Sequence, residues 1–407
     1  MKKIAVVLIC LLTIQLSKAQ ERVITTGVPF LLVAGDARSA GMADNGVATS
    51  PDVYSQQWNS AKYAFSIDKQ GFSVGYTPYL VQLVNDISLS QVNYFNKINE
   101  QSAFAGSIRY FSLGEIQTTD NAGVQLAIVK PAEFALDISY ALKLSERFSM
   151  AVGGRYIRSN LRIPTEGGNS SAASSFAFDI SCYHQSEEIA FNDFNGRLRW
   201  GINVQNLGPK INYDQTASKD VGSNFLPSNM KVGAGFDFIL DEYNKVTLGL
   251  ELNKLLVPTP FSKVEPIYLD IDGNGTLSSS EKTTALNVAQ DANSENYRKY
   301  DKIGWTDGIV KSFGDAPDGF SEELKEFTYS VGAEYLYQDS FAFRLGYFNE
   351  SVDKGARKFF SFGAGFKYNI IKVDVSYLFS ASKVKNPLEN TLRFSLSFAF
   401  GDKYDEY

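Results

Sequence analysis

From Gly71 onward, large apolar residues and polar residues alternate through successive segments of about ten residues. In the last segment, every second position from Leu392 to Phe400 is large and apolar, whereas the positions between them hold small or polar residues. This period of two is typical of β-strands with two different faces. Because aromatic residues make up 14% of the chain, the apolar faces need more cover than the remaining sequence can supply. The pattern therefore predicts an all-β fold, a transmembrane antiparallel β-barrel whose apolar face meets lipid.

The segments predict about fourteen strands, an even number as expected for bacterial barrels. The predicted strand centres are Val74, Ser90, Gly106, Ser139, Gly153, Asp179, Ile202, Gly233, Leu248, Gly332, Leu345, Gly363, Val375 and Leu396. The connections alternate between tight turns, such as 145–147 and 338–340, and long stretches, such as 112–133 and 254–326. Barrels of this class keep short turns in the periplasm and long loops outside. We therefore expect the bacterial outer membrane, with long loops at the cell surface and both termini in the periplasm.

The opposite faces of the predicted strands carry charges of both signs. These residues are Asp137, Arg155, Asp179, Arg197, Arg199, Lys231, Asp237, Glu251, Glu334, Arg344, Lys367, Lys372 and Asp374. In a soluble protein such a face would be solvated, but in a barrel it lines the lumen. We expect these mixed charges to cross-link a largely closed interior.

The chain divides into a barrel and flanking segments. The expected divisions are residues 1–19 (cleaved signal peptide), 20–70 (periplasmic or lumenal N-terminal segment), 71–400 (barrel, with a long external loop at 254–326) and 401–407 (C-terminal tail). The signal peptide is predicted because Lys2 and Lys3 precede an apolar run, and Ala19 supplies a small residue for cleavage. Beyond it, no apolar run reaches the roughly 18 residues of a transmembrane helix.

Charge and cysteine content narrow the set of partners. The net charge of -6 argues against a nucleic-acid partner, because phosphate binding needs a clustered basic face. Of the two cysteines, Cys10 lies in the predicted signal peptide, which leaves Cys182 alone. We therefore expect an unpaired thiol.

The long loop contains a segment, 270–281, that matches the calcium-loop pattern of EF-hand proteins. The residues that would supply ligands are Asp270, Asp272, Asn274, Thr276, Ser278 and Glu281. Gly275 stands where the pattern needs a sharp turn, while Pro266 argues against an entering helix. Two interpretations stay open: a calcium site that stiffens the loop, or an acidic turn that binds nothing. No other cofactor is predicted.

The same loop carries a group of large apolar residues. They are Ile303, Trp305, Ile309, Val310 and Phe313. These side chains either pack the loop against itself or form an anchor that docks on a large partner, as exposed aromatic residues often do. In both cases the loop is the best candidate contact surface.

Two short motifs near the N-terminus indicate a family. Residues 36–43, Asp-Ala-Arg-Ser-Ala-Gly-Met-Ala, are followed by Trp-Asn-Ser-Ala at 58–61. Together they resemble the N-terminal signature of the FadL-like outer-membrane barrels, in which an Ala-Arg and Gly-Met-Gly segment precedes an aromatic-Asn-Pro-Ala motif. This chain has Ala43 where that signature has glycine, and Ser60 where it has proline. The resemblance implies a FadL-like barrel.

The whole chain also resembles the PorV (LptO) family of the type IX secretion system. The resemblance rests on the Gly27–Leu31 run, the Gly35–Met42 motif, the large late loop and the Asn206–Pro209 turn. It implies an outer-membrane component that associates with the giant translocon barrel and binds or shuttles cargo proteins through their C-terminal sorting domain. It further implies delivery to the attachment complex, with outer-membrane lipids around the barrel. The alternative function is a FadL-type transporter of hydrophobic compounds.

Barrels of this type have also been linked to lipid A deacylation, which is an ester hydrolysis. Hydrolysis by a serine needs a base, usually histidine. The one histidine of the chain, His184, is in phase with the apolar residues of its strand near a predicted short turn, and no nucleophile motif lies beside it. We therefore predict no catalytic residue and no enzyme.

Overall fold

The structure is a computed structural model of the 407-residue chain. It describes residues 23–120, 122–161, 172–213, 223–261, 263–270, 275–317, 319–382 and 386–404. The predicted signal peptide, residues 1–19, lies outside the described residues.

Fourteen strands form a closed antiparallel barrel. They are β1 (Asp68–Pro78), β2 (Ile87–Lys97), β3 (Ser102–Leu113), β4 (Ala132–Ser145), β5 (Phe148–Asn160), β6 (Ala173–Gln185), β7 (Asn195–Leu207), β8 (Asn229–Ile239), β9 (Asn244–Leu255), β10 (Phe327–Tyr337), β11 (Phe341–Asn349), β12 (Lys358–Tyr368), β13 (Ile371–Ser380) and β14 (Leu392–Lys403). Each strand pairs with its neighbours in sequence, and β14 pairs with β1 to close the barrel. The predicted fold and strand number are confirmed, and each predicted strand centre falls in a different strand.

Side chains alternate between the outer surface and the lumen along each strand. On β11, Phe343 and Leu345 are 60% and 55% exposed, whereas Arg344 between them is 1% exposed. Most of the charged residues that were predicted to line the lumen are buried in the same way. The predicted assignment of faces is therefore confirmed: apolar residues cover the outside, and charges of both signs face inward.

The connections divide the barrel into two different ends. At the short-turn end, tight turns at 146–147, 240–243, 338–340 and 369–370 join consecutive strands. At the opposite, long-connection end, the connections include 114–131, 208–228 and 256–326. Two of these long connections contain small hairpins, formed by Ile116–Thr119 with Gln125–Val129 and by Ile211–Asn212 with Ser223–Asn224.

Residues 23–67 run through the lumen, and we call this segment the plug. It contains a 3₁₀ helix (Pro29–Leu32), α1 (Ala37–Gly41), α2 (Ser55–Trp58) and a second 3₁₀ helix (Ser60–Phe65). Near its start, the Gly27 amide donates a 2.8 Å hydrogen bond to the carbonyl of Phe225, which lies in the 208–228 connection. The plug thus starts at the long-connection end and leads into β1 at the short-turn end.

The first described residues lie at the long-connection end, whereas β14 ends at the short-turn end. The physical reason is that Val28 and Phe30, which are at most 1% exposed, bury their side chains in an apolar cluster inside that end of the lumen. The segment is drawn into the barrel by this burial. The predicted location of the two termini stays a prediction, because both lie outside the described residues.

The connection 256–326, which we call the cap, holds the remaining α-helices. They are α3 (Ser279–Asp301), α4 (Trp305–Lys311) and α5 (Phe320–Lys325). A capping box starts α3, because Ser278 and Glu281 each satisfy the backbone amide of the other. Within the described ranges, no helix is both long enough and apolar enough to cross a membrane.

Candidate functional site

The two motifs that suggested a family meet inside the lumen. Asp36 caps α1, and its carboxylate accepts hydrogen bonds from the Ser39 amide at 2.7 Å and from Nε1 of Trp58 at 2.6 Å. Asp36 and Trp58 are each 1% exposed. The motifs therefore join two limbs of the plug to each other, which we call the first limb (residues 23–52) and the second limb (residues 53–67).

Arg38 fixes the plug to the barrel wall. Its guanidinium forms ion pairs of 2.8 Å with Asp52 in the plug and of 2.8 Å with Glu334 on β10. Glu334 also pairs with Arg344 at 2.6 Å, and Arg344 pairs with Asp374 at 2.7 Å. The result is a buried chain of alternating charges that crosses from the plug to β13. Such networks add little net stability, but removal of one member is costly because it leaves a buried charge unpaired.

Inward-facing glycines let the plug backbone lie directly against the wall. A Cβ on Gly346 would lie 2.3 Å from the Ala43 amide nitrogen, and one on Gly332 would lie 2.8 Å from Cβ of Met42. These two glycines are direct cross-strand partners on β10 and β11. The wall is therefore shaped to receive this segment, since any larger side chain there would push the plug away.

Arg109 holds the start of the plug at the long-connection end. From β3, its guanidinium donates to the carbonyls of Leu31 at 2.9 Å and Val33 at 2.7 Å, at the end of the first 3₁₀ helix. The Phe30 ring stacks on Phe111 with centroids 6.1 Å apart. Polar and apolar contacts together fix this part of the plug.

The second limb of the plug is fixed by backbone and ring contacts. The Asn59 side chain caps the second 3₁₀ helix and donates to the carbonyls of Val47 at 3.0 Å and Cys182 at 2.9 Å. Tyr63 stacks on Phe95 of β2 with centroids 4.9 Å apart. Both limbs therefore contact the wall, as expected for a closed lumen.

The plug lines two cavities. One, of about 470 Å³, lies at the long-connection end beside Trp58 and Leu32. The other, of about 320 Å³, lies at the short-turn end beside Pro51 and Tyr54. No residue lines both of these cavities, and residues of the plug line each of them.

Buried ion pairs tie the cap to the barrel rim. Lys254, at the end of β9, lies 2.6 Å from Glu326 and 2.8 Å from Glu323, and Lys354 lies 2.9 Å from Glu326. Burial acts to raise the pKa of Glu326, but hydrogen bonds from Lys254, Thr259 and Lys354 outweigh it and hold that pKa below its usual range. Glu326 is therefore an ionised anchor between the cap and two lysines.

A third acidic side chain lies beside this anchor. Carboxylate oxygens of Asp315, Glu323 and Glu326 lie within 4.8 Å of one another, which is close enough to share a metal ion. Burial raises the pKa of Asp315, and the neighbouring carboxylates add to that shift. Because Lys254 already contacts two of the three, its ammonium supplies the positive charge that a metal would bring.

The predicted calcium loop is only partly among the described residues. Asp270 accepts a 2.7 Å hydrogen bond from the Gly275 amide, and Gly275 adopts the predicted sharp turn with φ +80°. Glu281 accepts 2.8 Å hydrogen bonds from the Ser278 amide and hydroxyl, and Thr276 lies in the turn between them. Asp272 and Asn274 lie outside the described residues. Calcium binding by this loop stays a prediction.

The five apolar residues predicted as a contact surface divide into two groups. Val310 and Phe313 are 75% and 51% exposed, whereas Ile303, Trp305 and Ile309 are half-buried. Among the apolar residues of the cap that were not predicted, Phe320 and Leu324 are 77% and 53% exposed. Their spacing of four residues could have predicted an apolar surface from the sequence, because it places both side chains on one face of a helix.

His184 has the environment predicted for it. It lies on the outer face of β6 and stacks on Trp200 of β7, with centroids 5.4 Å apart. Cys182, on the same face of β6, is a free thiol. Neither residue takes part in a group of metal-ligating side chains among the described residues.

Comparison with known families gives one match. A family model described as type IX secretion system protein PorV matches residues 16–262, which is more than half of the chain. The comparison with curated proteins finds no match.

Solved structures with similar backbones are distant in sequence. A Pseudomonas aeruginosa FadL homologue is 14% identical, with 90% of this chain and 98% of that chain covered and a TM-score of 0.43. The Pseudomonas putida toluene transporter TodX is 10% identical, with 93% and 98% covered and a TM-score of 0.45. The Ralstonia pickettii toluene transporter TbuX is 11% identical, with 90% and 98% covered and a TM-score of 0.44. At these values the likeness carries no information about a ligand of this chain.

Proposed function

The chain belongs to the PorV family of type IX secretion system proteins, and from this premise we propose that it serves protein export as a non-enzymatic partner of the translocon. A closed barrel with an apolar outer surface fits the bacterial outer membrane. In the orientation we propose, the long-connection end with the cap lies at the cell surface and the short turns lie in the periplasm.

The observation that carries this proposal is the filled lumen. A transporter of hydrophobic compounds needs a path for its substrate, whereas here residues of the plug line both of the described cavities, and the two cavities share no lining residue. The ion pairs of Arg38 and the close packing of the plug on Gly346 both oppose its displacement. A barrel that stays closed supports a role in holding other proteins rather than in uptake.

The cap is the surface that we assign to protein partners. These are the giant translocon barrel, the C-terminal sorting domains of cargo proteins and the proteins of the attachment complex. Val310, Phe313 and Phe320 expose more than half of their surface on the cap. Because Lys254 and Lys354 fix the cap through buried ion pairs, these side chains are presented on a positioned support.

We assign no catalytic step to this protein. Histidine chemistry would need a nucleophile and an orienting group near His184, but the neighbour of its ring is Trp200. For the cap we also propose a bound calcium ion at 270–281, which would stiffen the connection without taking part in chemistry.

The proposal is tested by purifying the tagged full-length protein from its native outer membrane in mild detergent and identifying what accompanies it by mass spectrometry. A giant barrel and secreted proteins that share a C-terminal domain are the expected companions. The double variant Val310→Ser, Phe313→Ser should lose them, whereas Leu126→Ser, which changes a residue that is 54% exposed in the 114–131 connection outside the cap, should not. Recovery of a lone barrel with fatty acid or another apolar compound would instead support the FadL-type transporter.

A further inference from the structure

The larger cavity, at the long-connection end, has two dissimilar walls. One wall consists of inward-facing side chains on β8 to β11, among them Asn229, Asn253, Thr328 and Ser330. The other wall is the start of the plug, residues 23–26 together with Leu32. At about 470 Å³, the space between them is within the range of known ligand sites.

The first wall holds amide groups with unused hydrogen-bonding capacity. Asn229 is 0% exposed, and neither its Oδ1 nor its Nδ2 has a partner among the described residues. Oδ1 of Asn253, on the neighbouring strand, is also without a described partner. A buried amide without partners is costly, so these groups favour a ligand that offers both a donor and an acceptor.

The ionised side chains around the cavity are already neutralised. The pairs are Lys231–Glu251, Lys354–Glu326, Arg357–Glu350 and Asp44–Arg393, at 3.8, 2.9, 2.8 and 3.3 Å. A charged ligand would have to compete with these pairs, whereas an uncharged one would not. The cavity therefore favours a neutral, hydrogen-bonding ligand.

The second wall offers an open backbone edge. Residues 23–26 belong to no helix or strand, and no hydrogen bond joins their backbone to another described residue. Val23 is 43% exposed, so this edge reaches solvent. An extended segment with free amides and carbonyls is a template for strand addition, in which a second chain pairs along it.

We propose that this cleft binds an extended, uncharged peptide segment. The peptide backbone would pair with residues 23–26 on one side and with the amides of Asn229 and Asn253 on the other. Its apolar side chains would enter the spaces next to Leu32 and Leu255. The inference rests on the proposed export function only for the source of the peptide, which would be a segment of an exported protein.

The test uses the purified full-length protein in detergent and a dansyl-labelled, amidated hexapeptide of alternating threonine and valine, followed by fluorescence anisotropy. Saturable binding is expected. Asn229→Leu and the cavity-filling Ser330→Phe should each weaken binding by about tenfold or more, whereas Asn160→Leu, on the outer face of β5, should leave it unchanged. Using both Asn229→Leu and Ser330→Phe keeps the test valid if one of them fails to fold.

A backbone variant separates peptides from sugars. Thr25→Pro removes one main-chain donor from the proposed template edge, and it should weaken peptide binding. If maltohexaose displaces the probe and Thr25→Pro has no effect, the cleft is a carbohydrate site and the proposal is overturned. Absence of saturable binding also overturns it. Binding is measured without the export machinery, so intact peptide binding combined with no copurified translocon would count against the export function alone.

Discussion

Asp36 and Trp58 lie 22 positions apart in the chain, and the carboxylate of the first accepts a 2.6 Å hydrogen bond from the indole of the second. Both side chains are buried in the lumen. The contact joins the two limbs of the plug, so each limb depends on the other for its position. Since Arg38 then anchors the same region to β10, the plug and the wall are expected to unfold as one unit.

The first prediction concerns this hydrogen bond. Trp58→Phe removes the donor and leaves the Asp36 carboxylate with the Ser39 amide as its remaining described donor, which should lower the stability of the folded protein by about 1–3 kcal/mol. Thermal unfolding followed by circular dichroism measures the loss. Trp200→Phe is the matched control, because that ring lies on the outer face of β7 against His184. Equal effects of the two variants would contradict the role assigned to Trp58.

The second prediction concerns the closed lumen. Arg38→Met leaves Asp52 and part of the charge of Glu334 uncompensated, a change that costs about 3–5 kcal/mol when a buried pair is broken. In planar bilayers, we expect the natural protein to show no conductance and the variant to show intermittent conductance. Lys299→Met, which breaks an exposed pair on α3, should stay silent. Sustained conductance of the natural protein would contradict the closed lumen itself.

The third prediction concerns the glycines beneath the plug. Gly346→Ala places a methyl group 2.3 Å from the Ala43 amide nitrogen, so the plug backbone must shift and stability should fall by at least about 1 kcal/mol. Gly154→Ala is the control, since its methyl group would meet nothing closer than 4.0 Å. Midpoints of thermal unfolding compare the two. A tolerated Gly346→Ala beside a harmful Gly154→Ala would show that the plug does not rest on this wall.

The barrel could be predicted from the sequence because its signal is local. Within each strand, apolar and polar residues alternate, as Phe343, Arg344 and Leu345 do on β11. The face towards lipid must be apolar, whereas the face towards the lumen can be polar or charged. The strand number followed from counting such segments. The family resemblance was likewise carried by short motifs, and the match over residues 16–262 confirms it.

The path of the plug could not be predicted because its contacts are non-local. No feature of the sequence indicates that Arg38 pairs with Glu334. From the sequence alone, Gly332 and Gly346 are residues with low strand propensity, and only the structure shows that the plug backbone packs against them. The entry of residues 23–28 at the long-connection end could not be predicted for the same reason, since an even strand count fixes only the ends of the strands. The apolar residues at 28–31 were a signal that this segment would be buried.

The fourth prediction concerns the attachment of the cap at low pH. The pKa of Glu326 is held below its ordinary value of 4.5. Its contribution to the stability of the folded cap is therefore complete above pH 4.5 and is lost as pH falls through the lowered pKa. The contribution of Asp315 to the stability of the cap changes with pH in the opposite direction. Because burial raises the pKa of Asp315, its charged form destabilises the folded cap as pH rises. We therefore expect the cap to loosen in acid, below about pH 4.5.

A spin label at Leu324→Cys, in a Cys182→Ser background, reports this loosening as increased mobility. In a Glu326→Gln background the label should be mobile at neutral pH and lack the acid transition. Glu295→Gln, on the exposed face of α3, is the control and should keep the profile of the parent. An identical acid transition with and without Glu326 would assign the change to another group.

The last prediction concerns calcium in the cap. If the 270–281 segment binds the ion, the full-length protein should bind calcium with a dissociation constant on the order of 10⁻⁴–10⁻³ M, as extracellular modules of this kind do. Glu281 is the residue expected to supply two oxygens, so Glu281→Gln should weaken binding by at least tenfold in isothermal titration calorimetry. Because Glu281 also caps α3, the loss must be separated from a loss of helix. Far-ultraviolet circular dichroism makes that separation, because glutamine at this position can still complete a capping box: an unchanged helix signal assigns weaker calcium binding to the missing carboxylate oxygen. If Glu281→Gln binds calcium as the parent does, the segment is an acidic turn, and α3 is positioned by its capping box alone.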